Sequence, residues 1–566
     1  MDKLSNFGNN KKVPVFGIDL GTTNSAISIV DNNGIAKCLE LDNGKTTMPS
    51  CVLWDSNKDE FIVGDKAYAK RYQSNVCYSV KRLMGSDELV TFEHAGKKIT
   101  KTPAEVSAII LKGLVSKVKL YKDIKDVVIT VPAGFNINQI EATKKAANLA
   151  GLNLLGIMRE PTAASLVYRL DKEPGNILVY DLGGGTFDVS IVNVKKGSSG
   201  DSDLLDFLGM GDDETESKDS ITVINTRGNN KLGGDDLDRE IYSLMENKLK
   251  THYGITPKMI RREDKEKLIL KLEQYKKSAD YANTDIYLDW TLTNGKKFQG
   301  MISFTMEDFE KATKKIYRKT KVYIDDVLKS SNVNIHSIVL VGGSTKNVLL
   351  QKMLKDDYPG VNVCNYLNPD EAVSLGASVQ AKRLKYGSDT LEVFDVTSNP
   401  IGVLSDGRVK TLIEKNQSLP CTITKTFTTS VDDQQFVDIK VYEGSSIYHQ
   451  ECEYLGDLVV RGLPKGKAGT IAVVVTLTVD SDGLLQVETL IDGKRNKVTL
   501  MNILGKKMEV EDKRSLILFD KWYEIANSLD EPYRSELNNL IEEAKQEPAK
   551  KVQVAKYIAK LNKRGK

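Results

Sequence analysis

The chain has 566 residues, and Lys+Arg 80 against Asp+Glu 77 leaves a formal net charge of +3, which excludes a strong global field recruiting nucleic acid or an anionic membrane. With 40% hydrophobic and 28% charged residues, the composition excludes a disordered or fibrous chain, and roughly 150 residues per domain suggests three or four units. The 6 cysteines and 4 histidines are scattered, which argues against a zinc ribbon, a disulfide framework or a clustered His metal site and for reduced thiols. Met1 to Lys12 is polar, and no stretch approaches the ~20 apolar residues of a membrane helix, so a soluble, cytoplasmic, multidomain protein is expected.

The first element is half of an internal echo. Val15 to Val30 aligns without gaps on Ile177 to Val192: Asp19-Leu20-Gly21 falls on Asp181-Leu182-Gly183, and Ser28-Ile29-Val30 on Ser190-Ile191-Val192. Each copy reads as an apolar strand, a tight glycine turn and a second apolar strand, a β-hairpin. The spacing of the copies is close to the size of a domain, so two similar lobes facing each other are expected. Between and after the hairpins the pattern predicts helices over Asn138 to Ala150, ended by Gly151, and over Pro161 to Leu170, with Pro161 at the first helical position. Another is expected from about Glu263 to Tyr281, where Leu268, Leu272, Tyr275 and Ala279 keep helical spacing. Apolar strands such as Val127 to Val131 and Ile338 to Val341 alternate with these helices, which predicts an α/β architecture. The polar segment from Lys196 to Asp219, rich in Asp and Glu, reads as a solvated, disordered insertion in a hairpin.

Beyond Lys382-Arg383 the character changes. Asp389 to Asp395 is a short connector. Asp-Gly turns at Asp406-Gly407, Asp482-Gly483 and Asp492-Gly493 then separate alternating strands. In Val437 to Val441 the residues Val437, Ile439 and Val441 share one face while Asp438 and Lys440 share the other. A longer β run covers Thr470 to Val479. This is a separate antiparallel β domain of about 100 residues by that pattern. The last segment turns helical, with Val554, Ile558 and Leu561 on one stripe and a lysine-rich tail.

Phosphate binding needs several backbone N–H groups aimed one way, which glycine turns supply. Three such loops follow apolar strands: Gly21-Thr22-Thr23, Gly183-Gly184-Gly185-Thr186 and Gly342-Gly343-Ser344. Asp19 and Asp181 end the strands before the first two. Facing each other across a cleft, they would hold Mg²⁺ largely through its water shell.

With these loops stand Val80-Lys-Arg-Leu83, Ile129-Thr-Val-Pro-Ala133, Glu160-Pro-Thr-Ala-Ala164, Leu232-Gly-Gly-Asp-Asp236, Leu340 to Thr345 and Asn368-Pro-Asp-Glu-Ala-Val373. In this order and company they resemble the Hsp70 (DnaK-like) chaperones, from about Val13 to Leu500. The resemblance implies an actin-like two-lobed ATPase domain over 13–383, with 196–219 as its acidic insertion. It further implies a linker over 384–397, a peptide-binding β-sandwich over 398–502 and a truncated helical lid with a basic tail over 503–566.

By matching position Lys81 would orient the water that attacks the γ-phosphate, and Glu160 and Asp181 would help place that water and the hydrated Mg²⁺, with Asp19 opposite. Thr22, Thr23 and Thr186 would contact the phosphates, and Asp188 would belong to a potassium site. Gly233, Gly234, Gly343 and Asp370 fall in further nucleotide-binding motifs. Phosphoryl transfer is mainly positioning and charge neutralisation, so Lys, carboxylates and a metal suffice without a nucleophilic side chain. Taken singly, Lys81 reads as a surface lysine and Glu160 as a helix-start carboxylate; only the joint pattern makes them a site. The adenine-facing helix would present Glu273, Lys276, Lys277 and Asp280, with Lys346 across from it. Lys277 and Lys346 lack the guanidinium plane that stacks on a base, so ATP binding weaker than in a typical member is expected.

In the β domain Ile401, Val403, Phe427, Val437 and Ile439 align with the family's peptide pocket. Asp406 and Ser430 stand where it usually has the apolar or small residues of its arch. Gly134, Ile137, Ile140, Gly156 and Arg159 stand where the pattern commonly has Tyr, Asp, Arg, Arg and Asn, positions linked to J-domain docking and interdomain signalling; Pro132 and Asp395 are retained. The implied function is an ATP-dependent chaperone that uses ATP/ADP, Mg²⁺ and K⁺, grips unfolded or extended polypeptide, and works with a non-standard J-domain co-chaperone and nucleotide exchange factor, without membrane or nucleic acid. The alternatives are an ATP-sensing adaptor of the same fold with little turnover, and a sugar kinase or filament-forming ATPase. The appended β domain argues against the last pair.

Overall fold

The computed structural model describes residues 13–499, apart from 122, 172–173, 197–217, 278–283, 365–367, 388–390, 406 and 492–493, together with parts of 522–561. The acidic insertion, Asp280, Asp406, the Asp492-Gly493 turn and the basic tail therefore lie largely or wholly outside the described residues.

Both echoing segments are hairpins. The strands β1 (Phe16–Leu20) and β2 (Asn24–Val30) pair antiparallel, with Asp19 opposite Ala26. Next, β3 (Asp126–Val131) lies parallel to β1. The helix α1 (Ile137–Ala150) follows, capped by the Asn136 side chain at its start and by Gly151 in the left-handed conformation at its end. It starts one residue before the sequence pattern because Asn136 takes the capping role that Asn side chains favour. Then come β4 (Asn153–Arg159), parallel to β3, and α2 (Glu160–Asp171). Glu160, not Pro161, is the first helical residue, which places an acidic side chain in the first turn, where the helix dipole favours it.

The second hairpin, β5 (Gly175–Leu182) and β6 (Phe187–Lys195), opens an equivalent sheet. It is extended by β7 (Asp219–Asn229), beyond the insertion. Asp219 is the first residue of that strand, not the last of the insertion. The helices α3 (Gly234–Tyr253) and α4 (Arg262–Lys277) follow. Next comes β8 (Ser337–Val341), parallel to β5, and then α5 (Ala372–Tyr386). In each sheet the hairpin sits centrally with a parallel strand beside it, β3 in one and β8 in the other. The strand expected over Ile338 to Val341 thus gains one residue.

The interior strands are apolar at nearly every position because helices cover both faces of such parallel-containing sheets. One core gathers Phe16, Ile18, Ile129 and Phe135. A second gathers Tyr180, Phe187, Phe309 and Ile324. A third lies between the sheets, with Val128, Ala163, Val179, Val339 and Ala377.

The connector departs from the expectation of a plain linker. Leu391–Phe394 forms the strand β9, parallel to β7 and sixth in its sheet. Leu391 and Val393 pack into the third core, which gives this weakly apolar run its reason to be a strand. Two four-stranded antiparallel sheets follow. One orders Arg408–Ile413, Ile401–Ser405, Phe436–Glu443 and Glu453–Arg461; the other orders Cys421–Thr428, Ala472–Val479, Leu485–Ile491 and Lys494–Thr499. In the second, Val473, Val475, Leu477 and Val479 are buried at alternate positions, the period of a sheet with one face inward.

Residues 501–566 form a separate compact unit. Its described residues include the helix Tyr533–Gln546 and a core of Trp522, Leu537, Ile541, Val554, Ile558 and Leu561. The expected apolar stripe is thus buried. Among the described residues no helix is long and apolar enough to cross a membrane.

Phe187 is fully buried, with its ring centroid 5.0 Å from that of Tyr180. Replacing it with alanine should cost about 3–5 kcal/mol and lower the first transition midpoint in urea. A midpoint unchanged from wild type would show that this core does not carry the lobe.

Candidate functional site

The three glycine loops and both strand-end aspartates converge on one cavity of ≈ 540 Å³. Its walls include Asp19, Gly21, Thr22, Thr23, Lys81, Glu160, Asp181, Gly183, Gly184, Thr186, Gly342, Gly343 and Asp370. Lys81, in the short 3₁₀ turn Val80–Leu83, is buried and sits 2.5 Å from a Glu160 oxygen. Its ammonium also lies 5.7 Å from the centre of the Phe135 ring. Lys81 is therefore no surface lysine.

The loops come from opposite lobes and nearly touch. A Cβ on Gly184 would overlap the Thr23 side chain of the facing hairpin, so only glycine lets the two turns meet. A Cβ on Gly233 would likewise meet the Gly184 backbone at 2.6 Å. Gly234 N–H donates to the Gly183 carbonyl at 2.9 Å, and the Ser344 hydroxyl donates to the same carbonyl at 2.9 Å. Gly233, Gly234 and Ser344 thus support the second loop from behind. Gly185 is held by Arg82, whose Nη2 donates to its carbonyl at 2.9 Å.

The carboxylates crowd one another. Burial, and next the Glu160 charge, push Asp19 up to about 7, although Thr130 donates to its Oδ1 at 3.2 Å. Burial and the same glutamate hold Asp181 well above the usual carboxylate range, with Asp188 and Asp19 adding to the repulsion. Asp188 is raised to about 7, again by burial first and Glu160 second. A multivalent cation would relieve this, since each aspartate disfavours ionisation of the next. Among the described residues no three His, Cys, Asp or Glu side chains converge to cage a metal alone. That donor set fits Mg²⁺, which keeps several waters and takes the rest of its shell from one or two carboxylates and phosphates. The buried Thr23 hydroxyl has no protein partner and suits a phosphate oxygen.

Glu273, Lys276, Lys277 and Lys346, expected to face the adenine, do not join this cavity lining. Glu273 is buried and bonded to Arg71 and to Tyr68, whose hydroxyl donates at 2.6 Å; Lys277 lies 2.5 Å from it. Burial opposes its charge, but the Lys277 bond and the other donors outweigh it and hold Glu273 below the usual range. Lys276 pairs with Asp238 at 2.6 Å, and Lys346 with Asp370 at 2.5 Å. Sequence reasoning missed Tyr68, Arg71, Arg82 and Asp238. Arg82 adjoins Lys81 and could have been flagged; the others carry no local motif.

In the β-sandwich Ile401, Val403 and Ile439 are buried, while Phe427 and Val437 are half-buried.

The Hsp70 protein family model matches residues 15–200 and 217–564. The chain belongs to the Hsp70 family. It is 33% identical to the chaperone protein DnaK of Mycoplasma mobile over 528 residues, covering 90% of this chain and 81% of that protein. Against DnaK of Thermotoga maritima the identity is 34% over 536 residues, 91% of this chain and 84% of the relative. Against DnaK of Metamycoplasma hominis it is 32% over 585 residues, 96% and 91%. The chain is thus an Hsp70-type chaperone, in a family whose members pair an actin-like ATPase domain with a β-sandwich.

Gly184→Val would drive two methyl groups into Thr23. Overpacking of this kind costs ~1–3 kcal/mol, so calorimetry should show ATP affinity reduced by about tenfold, with the fold intact by circular dichroism. Unchanged affinity would mean that the two loops do not grip one ligand together.

Proposed function

We propose that ATP hydrolysed in this cavity switches the affinity of the β-sandwich for extended or unfolded polypeptide. The observation that carries the reading is the meeting of Asp19, Asp181, Glu160 and Lys81 with the glycine loops of both lobes in one buried site. Lys81 and Glu160 orient the attacking water. Asp19 and Asp181 hold a hydrated Mg²⁺, which neutralises charge on the phosphates. Gly21, Thr22, Thr23, Gly183, Gly184, Gly185, Thr186 and Gly342 cradle the phosphates. Both Asp188 oxygens are buried without a hydrogen bond of good geometry, which a K⁺ ion would remedy.

The nucleoside lies between α4 and the turn after β8, bounded by Glu273, Lys276, Lys277, Lys346 and Asp370. Because Lys277 and Lys346 are already ion-paired and cannot stack as a planar guanidinium does, affinity falls below that of a typical member. Residues 13–383 form the ATPase domain, 384–397 the linker, 398–502 the peptide-binding sandwich and 503–566 a shortened helical lid. Ile401, Val403, Phe427, Val437 and Ile439 line the peptide slot once the sandwich opens, and burying one Leu-like side chain there contributes ~1.5–3 kcal/mol. A J-domain protein and an exchange factor act on the cycle. Among the described residues no disulfide is formed, which suits the reducing cytoplasm.

Single-turnover hydrolysis tests the reading. Lys81→Ala should slow it by about 10²–10³-fold, the scale for losing one preorganised charge-stabilising group. Peptide affinity measured with ATP and then ADP should differ in the wild type. Equal hydrolysis rates for the two proteins would eliminate the enzymatic role, and equal affinities would eliminate the switch.

A further inference from the structure

The turn that joins the strands Ala472–Val479 and Leu485–Ile491 of the sandwich sits on α1. Its Leu484 is buried in the first core, and a Cβ on Gly483 would meet the Ile140 side chain at 3.1 Å. This contact brings like charges together. Lys144 of α1 lies 3.4 Å from an Asp482 oxygen, and Asp482 also accepts from the Ile157 amide at 3.3 Å. Asp480 is fixed by its own turn, where Oδ1 accepts from the Asp482 and Leu484 amides at 3.0 and 2.9 Å. Glu141 of α1 is left facing it. The Oε1 atom of Glu141 is buried and has no hydrogen-bond partner among the described residues. Burial pushes this carboxyl up to about 7; Lys144 opposes the shift and Asp480 adds to it.

The surrounding charges do not relieve Glu141. Lys145, four residues on, lies toward Glu105 of the helix Pro103–Ser116. Glu453 accepts from the Asn138 amide at 2.8 Å, one helical turn before Glu141. Glu443 accepts from the Ile137 N–H at 2.9 Å and from the Asn399 amide at 3.1 Å. Arg159, the cation that faces Glu443, is tied to Asp395 at 3.2 Å. Nor is there room to spare beside the turn, since a Cβ on Gly156 would stand 3.3 Å from the Asp482 carboxylate. With the sandwich seated, an ionised Glu141 is therefore a charge with a buried oxygen that no donor reaches. Protonation removes that cost together with the repulsion from Asp480. With the sandwich away, the same side chain is an ordinary glutamate in water.

We propose that seating of the sandwich on α1 takes up a proton at Glu141, so that acidification favours the docked arrangement. The proposal goes beyond the nucleotide-switched reading and needs neither ATP nor its hydrolysis. The sign follows from linkage. A carboxyl raised from the ordinary 4.5 to about 7 in the seated state favours seating in full below 4.5, and that contribution is lost as the pH rises through 7. Glu443, which burial also pushes up to about 7, acts in the same direction, so removing Glu141 alone leaves a residual dependence.

The test is small-angle scattering from the full-length, nucleotide-free protein at constant ionic strength, reading the ratio of compact to extended particles. That ratio should be at least about tenfold greater at about pH 6 than at about pH 8, the swing of one carboxyl shifted this far. Glu141→Gln should be more compact than wild type at the higher pH, with a swing smaller by about tenfold. Asp480→Asn keeps the acceptor its turn needs and removes the facing charge. It should reduce the swing in the same sense, and it decides the matter if Glu141→Gln does not fold. A wild-type ratio that changes less than twofold, or that grows with pH, would overturn the proposal. So would a wild-type swing in Glu141→Gln, or in Asp480→Asn where that variant stands in. Turnover enters neither readout, so a chain that fails to hydrolyse ATP counts against the enzymatic reading and leaves this test intact.

Discussion

Asp181, buried, and Asp19, half-buried, face one cavity, each at the end of a strand from a different lobe, with Glu160 adding a third carboxylate beside them. Left to themselves these groups repel, and burial deepens the penalty. Lys81 offsets part of it from 2.5 Å off Glu160, and a hydrated divalent cation carrying a polyphosphate would offset the rest. The repeated hairpin, the glycine turns and the parallel strands beside them suit that requirement: two strand ends must be brought together with enough exposed backbone N–H groups to donate to phosphate oxygens.

The same cavity sits close to the path by which the sandwich is attached. The connector enters the second sheet as an edge strand beside β7. Leu484 of the sandwich is buried in the core of the first lobe. A buried Glu443 carboxylate accepts from the Ile137 N–H at the start of α1 at 2.9 Å. The Asn138 amide reaches Glu453 at 2.8 Å, and Asn416 donates to Asn225 of β7 at 2.8 Å. The sandwich thus touches both lobes through polar groups that would each need water or a new partner on leaving.

The hairpins around Asp19 and Asp181 were legible because strand, turn and carboxylate are consecutive in the chain and occur twice. Lys81 and Glu160 were legible only through company, since neither has a local pattern that separates it from an ordinary surface residue. Helix positions were readable from periodicity, but their starts were set by caps: Asn136 moved one start back by a residue, and Glu160 displaced Pro161 from the first position of α2. The strand at Leu391–Phe394 was not readable, because its burial depends on a sheet edge supplied by residues some 170 positions earlier, and pairing outweighs its modest propensity. The Tyr68–Arg71–Glu273 cluster was invisible for the same reason: its partners lie 202 residues apart in the chain. The five residues that depart from the family pattern lie in the turn after β3, in α1 and in β4. In the structure Ile137, Gly156 and Arg159 each meet a complementary group from the other side.

A shared metal–nucleotide complex would bring the two strand-end aspartates together. Anomalous diffraction from crystals grown with ATP and Mn²⁺ in place of Mg²⁺ tests it most directly. A single manganese peak is expected between Asp19 and Asp181, joined to them through water and bound to phosphate oxygens. A peak elsewhere, or nucleotide density outside that cleft, would contradict it.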